Sequence, residues 1–437
     1  MPSEAPYKDT VIITKYDTDT IHISIAYANM QNGLQKTITK RYTCKNVDAT
    51  KQKVGSTLGG GYRGAYNVSY FTCRGYKDPL ENAGLENDKA AIVFFGLQYF
   101  IQRYLTNKPI TPDRIKAADE FVSTYMADVR PNRVRKDYTM FPRGDWEAIL
   151  RGDYDPTDSD PTAKGPEGEL PIKIEALPEG TIVKPGACCT KITNTHPRFF
   201  WLPNYLETLL VQVWYPTTVA TQTREFKKII QGYSLASARQ GWVMDNPLTV
   251  EALAENDRLK AEIPQVFDLL DFGYRGVSSH ETAALGSAAY YTAGYEGSDT
   301  VAGARMLNEH YDFKERFEDF QATSVPASEH STITSWANSD DLETDTAKYE
   351  KDEYKAFCNM FKQYMPSFAI SLVSDGFNIW NAVSRLWTSN EPPAEGEMSM
   401  KEMIEARTKA GQLNLLRPDS GEAIETLPQI LTLLKEG

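Results

Sequence analysis

An α/β fold is predicted from three features of the chain. From Val266 onward, β-rich runs alternate with helical stretches through short polar clusters: FDLLDFGYRG before SSHETAALGSAAYY, SFAISLVSD before FNIWNAVSRLW, and QLNLLRPDSG before EAIETLPQILTLL. Such alternation indicates parallel strands joined by crossover helices. The first third carries β-branched and aromatic runs, TIHISIAYA and KAAIVFFGLQYF, and the middle carries apolar residues at helical spacing. A chain of 437 residues, 41% hydrophobic and 11% aromatic, is long enough for about two to three domains with ordinary cores. Three regions are expected: a divergent N-terminal segment, 1–66; a mixed α+β domain, 67–265; and an α/β region, 266–437.

Within the middle region, Thr111-Pro112-Asp113 is a helix start, and Ile115, Ala118, Val122, Tyr125 and Val129 follow at helical spacing, so this helix should pack on a sheet. DYDPTDSDPTAKGPEGE, residues 153–169, is rich in proline, glycine and acid, and reads as a solvated insertion. IKIEALPEGTIV reads as a hairpin. Asn204 to Trp214 reads as a helix stopped before Pro216, and Thr217 to Ala238 as a second helix containing REFKKII. Val54 to Gly64, VGSTLGGGYRG, lacks the lysine and hydroxyl of a phosphate-binding P-loop and reads as a flexible loop. YEKDEYKAFCNMFKQY adds a helix after His330, whereas Pro428 interrupts the last helical pattern.

The formal charge of −12 opposes a nucleic-acid partner, which requires a concentrated basic surface. A small anionic substrate remains compatible, because a few local arginines can outweigh a diffuse acidic surface. No apolar run approaches the ~20 residues that span a bilayer, and MPSEAPYKDT has no secretory pattern. A soluble, cytoplasmic protein is expected. The five cysteines have no metal-ligand spacing and are expected to be free thiols. The NVS at Asn67 is a chance glycosylation pattern.

Ligand sites in such folds gather at the C-terminal ends of strands. Asp271, Phe272, Arg275, Ser371, Asp375, Arg417 and Asp419 are placed there, and His330, in SVPASEHSTIT, falls between two strand–helix units. His330 is read either as a nucleophile or as a capped loop residue. Its imidazole is competent toward phosphorus when Glu329 or a nearby carboxylate fixes the other nitrogen. Arg275 and Arg417 suit phosphate oxygens, and Asp375 and Asp419 suit magnesium or ribose hydroxyls. Arg417 and Asp419 could equally be a structural ion pair. Phe272 can stack on an aromatic ring or sit in a core, and Asp299 reads by itself as a helix cap. His22, His196, His280 and His310 are taken as structural or solvated.

FFGLQYFIQRYL, LETLLVQVWYPTTVAT, DFGYRGVSS, GSDTVAG, SVPASEHSTIT, SLVSD and RPDSG, in this order, resemble the nicotinamide phosphoribosyltransferase family of type II phosphoribosyltransferases. The resemblance runs from about Asn67 to the last residue, with insertions at 153–169, 338–350 and 388–408. It implies an irregular α/β barrel with an N-terminal α+β domain, and synthesis of nicotinamide mononucleotide and diphosphate from nicotinamide and phosphoribosyl diphosphate, with Mg2+ and with ATP as co-substrate. The family pattern implies that Phe272 stacks on the pyridine and Asp299 accepts the nicotinamide amide N–H, disfavouring nicotinate. Ser371, Arg417 and Asp419 would contact nicotinamide or nucleotide, Arg275, His330 and Arg417 the diphosphate, and His330 would be phosphorylated by ATP. A homodimer with shared active sites is implied.

Two departures accompany the resemblance. The family's N-terminal DSYKxTH segment has no equivalent in KDTVIITKYDTDTIH, so the residue covering the second face of nicotinamide is not identified. The chain also reaches LLKEG one helix after RPDSG, where family members continue through a GDG strand end and a glycine-rich phosphate loop. The visible repeats fall short of the ~8 strands of a closed barrel, so the barrel is expected to be incomplete. The alternative function is a catalytically incomplete relative, or a truncated product, that binds ligand or partner without turnover.

Overall fold

The structure, a computed structural model, describes residues 11–16, 21–27, 35–43, 65–73, 91–125, 141–156, 160, 162–245, 269–311, 324–337 and 346–436. The glycine-rich stretch 54–64, His22's side chain and Cys44 lie outside the described residues. The chain divides into two compact units, Met1–Ala322 and Thr323–Gly437, each with its own apolar core.

The first unit opens on strands β1 (Val11–Tyr16) and β2 (Ile21–Tyr27), paired antiparallel, and β3 (Gln35–Thr43) and β4 (Ala65–Cys73). β4 pairs antiparallel with β3 and with β8 (Cys188–Asn194), and β6 (Ile172–Ala176) adds to β8, giving the order β3-β4-β8-β6. Asn67 of the NVS triplet is buried, its N–H donating to Asn194 Oδ1 at 2.7 Å, which excludes it as a surface acceptor for glycan.

KAAIVFFGLQYF, a β-branched and aromatic run, yields only the short β5 (Ile92–Val93) before helix α1 (Leu97–Phe100). Gly96 makes the break: its φ is +102°, and a Cβ there would stand 2.4 Å from Pro216 Cγ. The expected hairpin in IKIEALPEGTIV does not form. β6 pairs with β8, whereas β7 (Ile182–Val183) pairs with β5. Gly180, at φ +84°, donates its N–H to Phe94 O at 2.8 Å, and Phe94 N–H donates to Thr181 O at 3.1 Å, so the turn delivers β7 to a different sheet.

Helix α2 (Pro112–Tyr125) begins where Thr111-Pro112 predicts, with Thr111 Oγ1 accepting the Arg114 N–H at 3.3 Å, and buries Ile115 and Ala118. It lies against β2 and α3 (Arg143–Arg151). The insertion at 153–169 is less solvated than its composition predicts. Tyr154 is buried edge-on against Phe199, with centroids 5.0 Å apart, and Gly165 lies so close to the Tyr154 ring that a Cβ would meet Cζ at 2.4 Å. One aromatic side chain with enough apolar area anchors an otherwise polar stretch.

Helices α4 (Leu202–Leu210) and α5 (Trp214–Asp245) are separated by a 3-10 turn at Val211–Val213, not by Pro216. Pro216 instead occupies the first turn of α5, where its missing N–H costs no helical hydrogen bond. Helices α6 (His280–Tyr291) and α7 (Val301–His310) pack on each other, and α6 packs on α5. An isolated parallel bridge, Asp271 with Ser298, joins the segments that precede α6 and α7.

In the second unit, β9 (Ala369–Val373) and β10 (Leu413–Arg417) pair parallel, and Ala327 bridges parallel to Ser371 on the other side of β9. All five residues of β9 are buried, as an apolar run in a parallel sheet should be. Around these strands lie α8 (His330–Thr334), α9 (Thr346–Gln363), α10 (Met400–Lys409) and α11 (Ala423–Glu436). FNIWNAVSRLW forms a short α-turn at Ile379–Asn381 that continues as π-helix through Leu386. Pro428 does not end α11; it is the helix's sixth residue and removes one hydrogen bond, to the carbonyl of the exposed Ile424. The strand–helix alternation expected here is present, and no closed barrel forms among the described residues.

Candidate functional site

Three parallel segments of the second unit end on one edge, and each delivers a polar residue just past its end. The SVPAS segment runs alongside β9: Ser371 N–H donates to Pro326 O at 2.9 Å, and Ser328 N–H donates to Ser371 O at 3.0 Å. Ser328 Oγ accepts the Val373 N–H at 2.8 Å, and its carbonyl accepts Arg417 Nη2 at 2.8 Å. This clamp aligns the segment before His330 with the ends of β9 and β10, so His330, Asp375 and Asp419 emerge together.

His330 Nε2 lies 3.1 Å from Asp375 Oδ1, and His330 Nδ1 lies 3.8 Å from Asp419 Oδ2. Asp419 N–H donates to Asp375 Oδ2 at 3.1 Å, so both oxygens of Asp375 are engaged. The Asp375 side chain is 3% exposed, whereas that of His330 is 43% exposed. Burial pushes the Asp375 carboxyl up, but hydrogen bonds from Ser420 and His330 outweigh it and leave the group below the usual carboxylate range. A buried carboxylate that only accepts places an imidazole proton on Nε2, so in the neutral ring Nδ1 is the nitrogen that carries the lone pair. Asp375, not Glu329, therefore orients the ring. Glu329 is the N-cap residue of α8, its N–H donating to Thr332 Oγ1 at 3.0 Å.

Arg417, the last residue of β10, anchors SVPAS through its guanidinium. Ser371, placed at a strand end by the sequence, lies instead at the middle of β9 and is buried. In a parallel sheet that position is flanked on both sides, here by Ala327 and Leu415, so its place is in the sheet interior.

In the first unit, Asp271 N–H donates to Gly297 O at 3.3 Å and Asp299 N–H donates to Asp271 O at 2.9 Å. The bridge sets Phe272 and Asp299 on adjacent parallel segments, about one strand spacing (~5 Å) apart. Phe272 is 45% exposed, which excludes the core reading. Asp299 is not the N-cap of α7; Thr300 is. Arg275 sits in the 3-10 turn Gly273–Gly276, exposed. Asp271 is buried and holds that turn, Oδ1 accepting the Gly273 N–H at 2.8 Å.

The other histidines have separate partners. His196 Nδ1 accepts the Arg198 N–H at 3.1 Å, His310 meets Gln102 at 3.0 Å, and His280 meets Tyr274 Oη at 2.5 Å. A residue not identified from the sequence is Glu353 of α9, which is 1% exposed. Its position four and eight residues before Phe357 and Phe361, on the apolar face of the helix, was the available signal. Among the described residues, no three His, Cys, Asp or Glu side chains converge as a metal cage, and no helix is long and apolar enough to cross a membrane.

Residues 267–435 match the nicotinate phosphoribosyltransferase (NAPRTase) family. The chain is 34% identical over 270 residues to a protein of Xanthomonas campestris named nicotinamide phosphoribosyltransferase, an alignment covering 62% of this chain and 47% of that protein. It is 28% identical over 342 residues to a protein of the same name from Acinetobacter baylyi, covering 77% of this chain and 54% of the relative. The chain thus spans about half the length of the curated relatives it matches. Among solved structures, the crystal structure of human nicotinic acid phosphoribosyltransferase aligns at a TM-score of 0.42 and 13% identity, covering 84% of this chain and 60% of that chain. The bridged segments that carry Asp271 and Asp299, and those that lead to His330, Asp375 and Asp419, all fall within the family match. It is to the nicotinate phosphoribosyltransferase family that residues 267–435 are similar.

Proposed function

We propose that this chain carries the nicotinamide-binding and phosphoryl-handling residues of a nicotinamide phosphoribosyltransferase, an enzyme of NAD salvage that joins nicotinamide to phosphoribosyl diphosphate. The observation that carries this reading is the His330–Asp375–Asp419 cluster at the aligned ends of parallel segments, inside the region similar to a phosphoribosyltransferase family. The matched relatives bear the nicotinamide name.

Phe272 supplies a face for the pyridine ring, and the adjacent Asp299 accepts the amide N–H. A nicotinate carboxylate placed there would meet a like charge, which costs several kcal/mol when close and desolvated. Arg275 in the first unit and Arg417 in the second are each suited to phosphate oxygens and to the negative charge that a diphosphate leaving group gathers. Mg2+ fits a site with few protein ligands, because it is commonly held by one or two carboxylates together with substrate phosphates. Asp419, exposed beside His330, is the carboxylate available for it; Mg2+ would supply charge neutralisation on the diphosphate.

ATP enters as co-substrate at His330. The Nδ1 lone pair attacks the γ-phosphorus, an N–P bond forms as the bond to the ADP oxygen breaks, and ADP leaves. Asp375 keeps the proton on Nε2 and stabilises the positive ring. A homodimer with shared active sites and a cytoplasmic location complete the reading. The test is incubation of the protein with phosphoribosyl diphosphate, Mg2+ and either nicotinamide or nicotinate, with chromatographic detection of the mononucleotide. Nicotinamide mononucleotide as the main product is expected; preference for nicotinate would overturn the substrate assignment, and ligand binding without either product would favour a non-catalytic relative.

A further inference from the structure

Away from the strand ends, the second unit holds a cavity of about 740 Å³, lined by one face of α9 and by the segment that leads into α10. The sequence explains why this segment stands off the helix. Pro392 and Pro393 do not continue a helix, and residues 394–397 then form a tight turn, the Glu397 N–H donating to Ala394 O at 3.1 Å with Gly396 at φ +79°. The segment is pinned to α9 at two places. Tyr354 Oη donates to Glu391 O and accepts the Met400 N–H at 3.1 Å, and Lys362 pairs with Glu397. Between these pins the chain arches, and Pro393, Ala394 and Gly396 on the arch line the cavity.

The lining has an apolar part and a cationic part. Trp336, Met365, Met398 and Met403 supply the first, with the Trp336 and Met398 side chains each 43% exposed. Methionines adapt to the shape of a guest and make favourable sulfur contacts with aromatic rings. The second comes from α9, where Lys355, Cys358, Asn359 and Lys362 recur at three, four and seven residues and so share one helix face. Each ammonium has three N–H donors. Asp352 takes one from Lys355 at 3.1 Å and Glu397 takes one from Lys362, so both retain N–H groups for a further acceptor. Among the described lining residues, ammonium groups outnumber carboxylates two to one, in a chain of formal charge −12. The volume lies within the roughly 300–1,000 Å³ of small-molecule sites.

We propose that this cavity binds a small, flat aromatic monocarboxylate, its rings against Trp336 and the methionines and its carboxylate on Lys355. Lys355 is the favoured cation because its partner Asp352 lies on its own helix outside the lining, whereas Glu397 would repel an anion approaching Lys362. His330, Asp375 and Asp419 do not line the cavity, and the proposal does not rest on the phosphoribosyltransferase reading.

The test is a titration of the full chain, labelled with [methyl-13C]methionine, with 2-naphthoate and with the neutral 2-naphthamide. Met365→Leu, Met398→Leu and Met403→Leu assign the three reporting signals. 2-Naphthoate should shift those signals saturably and bind at least about threefold more tightly than 2-naphthamide, as one part-exposed ion pair allows. Lys355→Met should erase that preference and leave 2-naphthamide binding in place, and Ala394→Trp, which fills the cavity from the arch, should abolish binding of both. Shifts confined to other methionines, equal affinity for the two compounds, or undiminished binding to Ala394→Trp would overturn the proposal. If Ala394→Trp does not fold, intermolecular Overhauser effects in the wild type decide: contacts from naphthalene protons to the Met398 and Met403 methyls support the site, and their absence overturns it. No nicotinamide, phosphoribosyl diphosphate or ATP is present, so the result is separate from the outcome of the activity assay.

Discussion

Asp375→Asn keeps the shape of the side chain and removes its charge, which isolates what the carboxylate does for His330. The buried Asp375 accepts from His330 Nε2 and from the Asp419 N–H, each at 3.1 Å. Hydrogen bonds to a charged acceptor stabilise by about 1.5–3 kcal/mol, against about 1 for neutral pairs, so losing the charge on two of them should cost ~1–3 kcal/mol of folding stability. The effect on reactivity should be larger. A carboxylate cannot donate, so Nε2 keeps its proton; an amide can donate to a bare Nε2, which moves the proton to Nδ1 and removes the nucleophile. If the amide reverses the tautomer preference by about 2–3 kcal/mol, histidine phosphorylation should slow by roughly 10²-fold, at 1.36 kcal/mol per factor of ten. The assay is single-turnover transfer of label from ATP to protein, read as acid-labile phosphate. Denaturation across pH adds an independent readout. Because the folded-state carboxyl of Asp375 lies below its unfolded range, its stabilisation is present above the unfolded value and is lost as pH falls through the folded one. The asparagine variant should lack that acid-side loss. A phosphorylation rate within about twofold of wild type would refute the orienting role.

Other substitutions probe separate parts of the structure. Asp299→Asn should narrow the preference for nicotinamide over nicotinate by about tenfold or more, since a neutral acceptor no longer repels a carboxylate; the ratio of kcat/KM values for the two substrates measures it. Arg407→Met should destabilise by at least about 1–3 kcal/mol in denaturant titration, the cost of leaving buried acceptors unpaired. The Arg407 guanidinium is fully buried and donates to Asn414 Oδ1 at 2.7 Å, Met365 O at 2.6 Å and Leu413 O at 2.9 Å, acceptors that methionine leaves without a donor. Gly96→Ala should lower stability by at least ~2 kcal/mol, because the positive φ and the contact with Pro216 both oppose a Cβ; thermal unfolding checks this.

Local chemistry was legible wherever a residue's own neighbours in sequence dictate it. Thr111-Pro112 starts α2, the continuous apolar run of β9 announces a strand buried on both faces, and the repeated strand–helix order announces parallel pairing. The candidate site residues could be named for the same reason: charge, ring shape and nucleophilicity belong to the side chain, and short polar clusters after apolar runs mark strand ends. Pairing across distance was not legible. IKIEALPEGTIV contains both strands of a hairpin, yet β6 joins β8 and β7 joins β5, because their partners are separated from them by intervening chain. Ser371 has the composition of a strand-end residue and is central, since register depends on where Ala327 and Leu415 align. Glu329 adjoins His330 in sequence, but a helix start turns it to capping, while Asp375, forty-five residues on, reaches the imidazole. Burial follows the same rule. Tyr154 leaves an acidic, proline-rich stretch to pack on Phe199, and Glu353 becomes a buried acid only because α8 and the Gly376 loop close over α9. Side-chain chemistry is local, whereas proximity and the exclusion of water are properties of the folded chain.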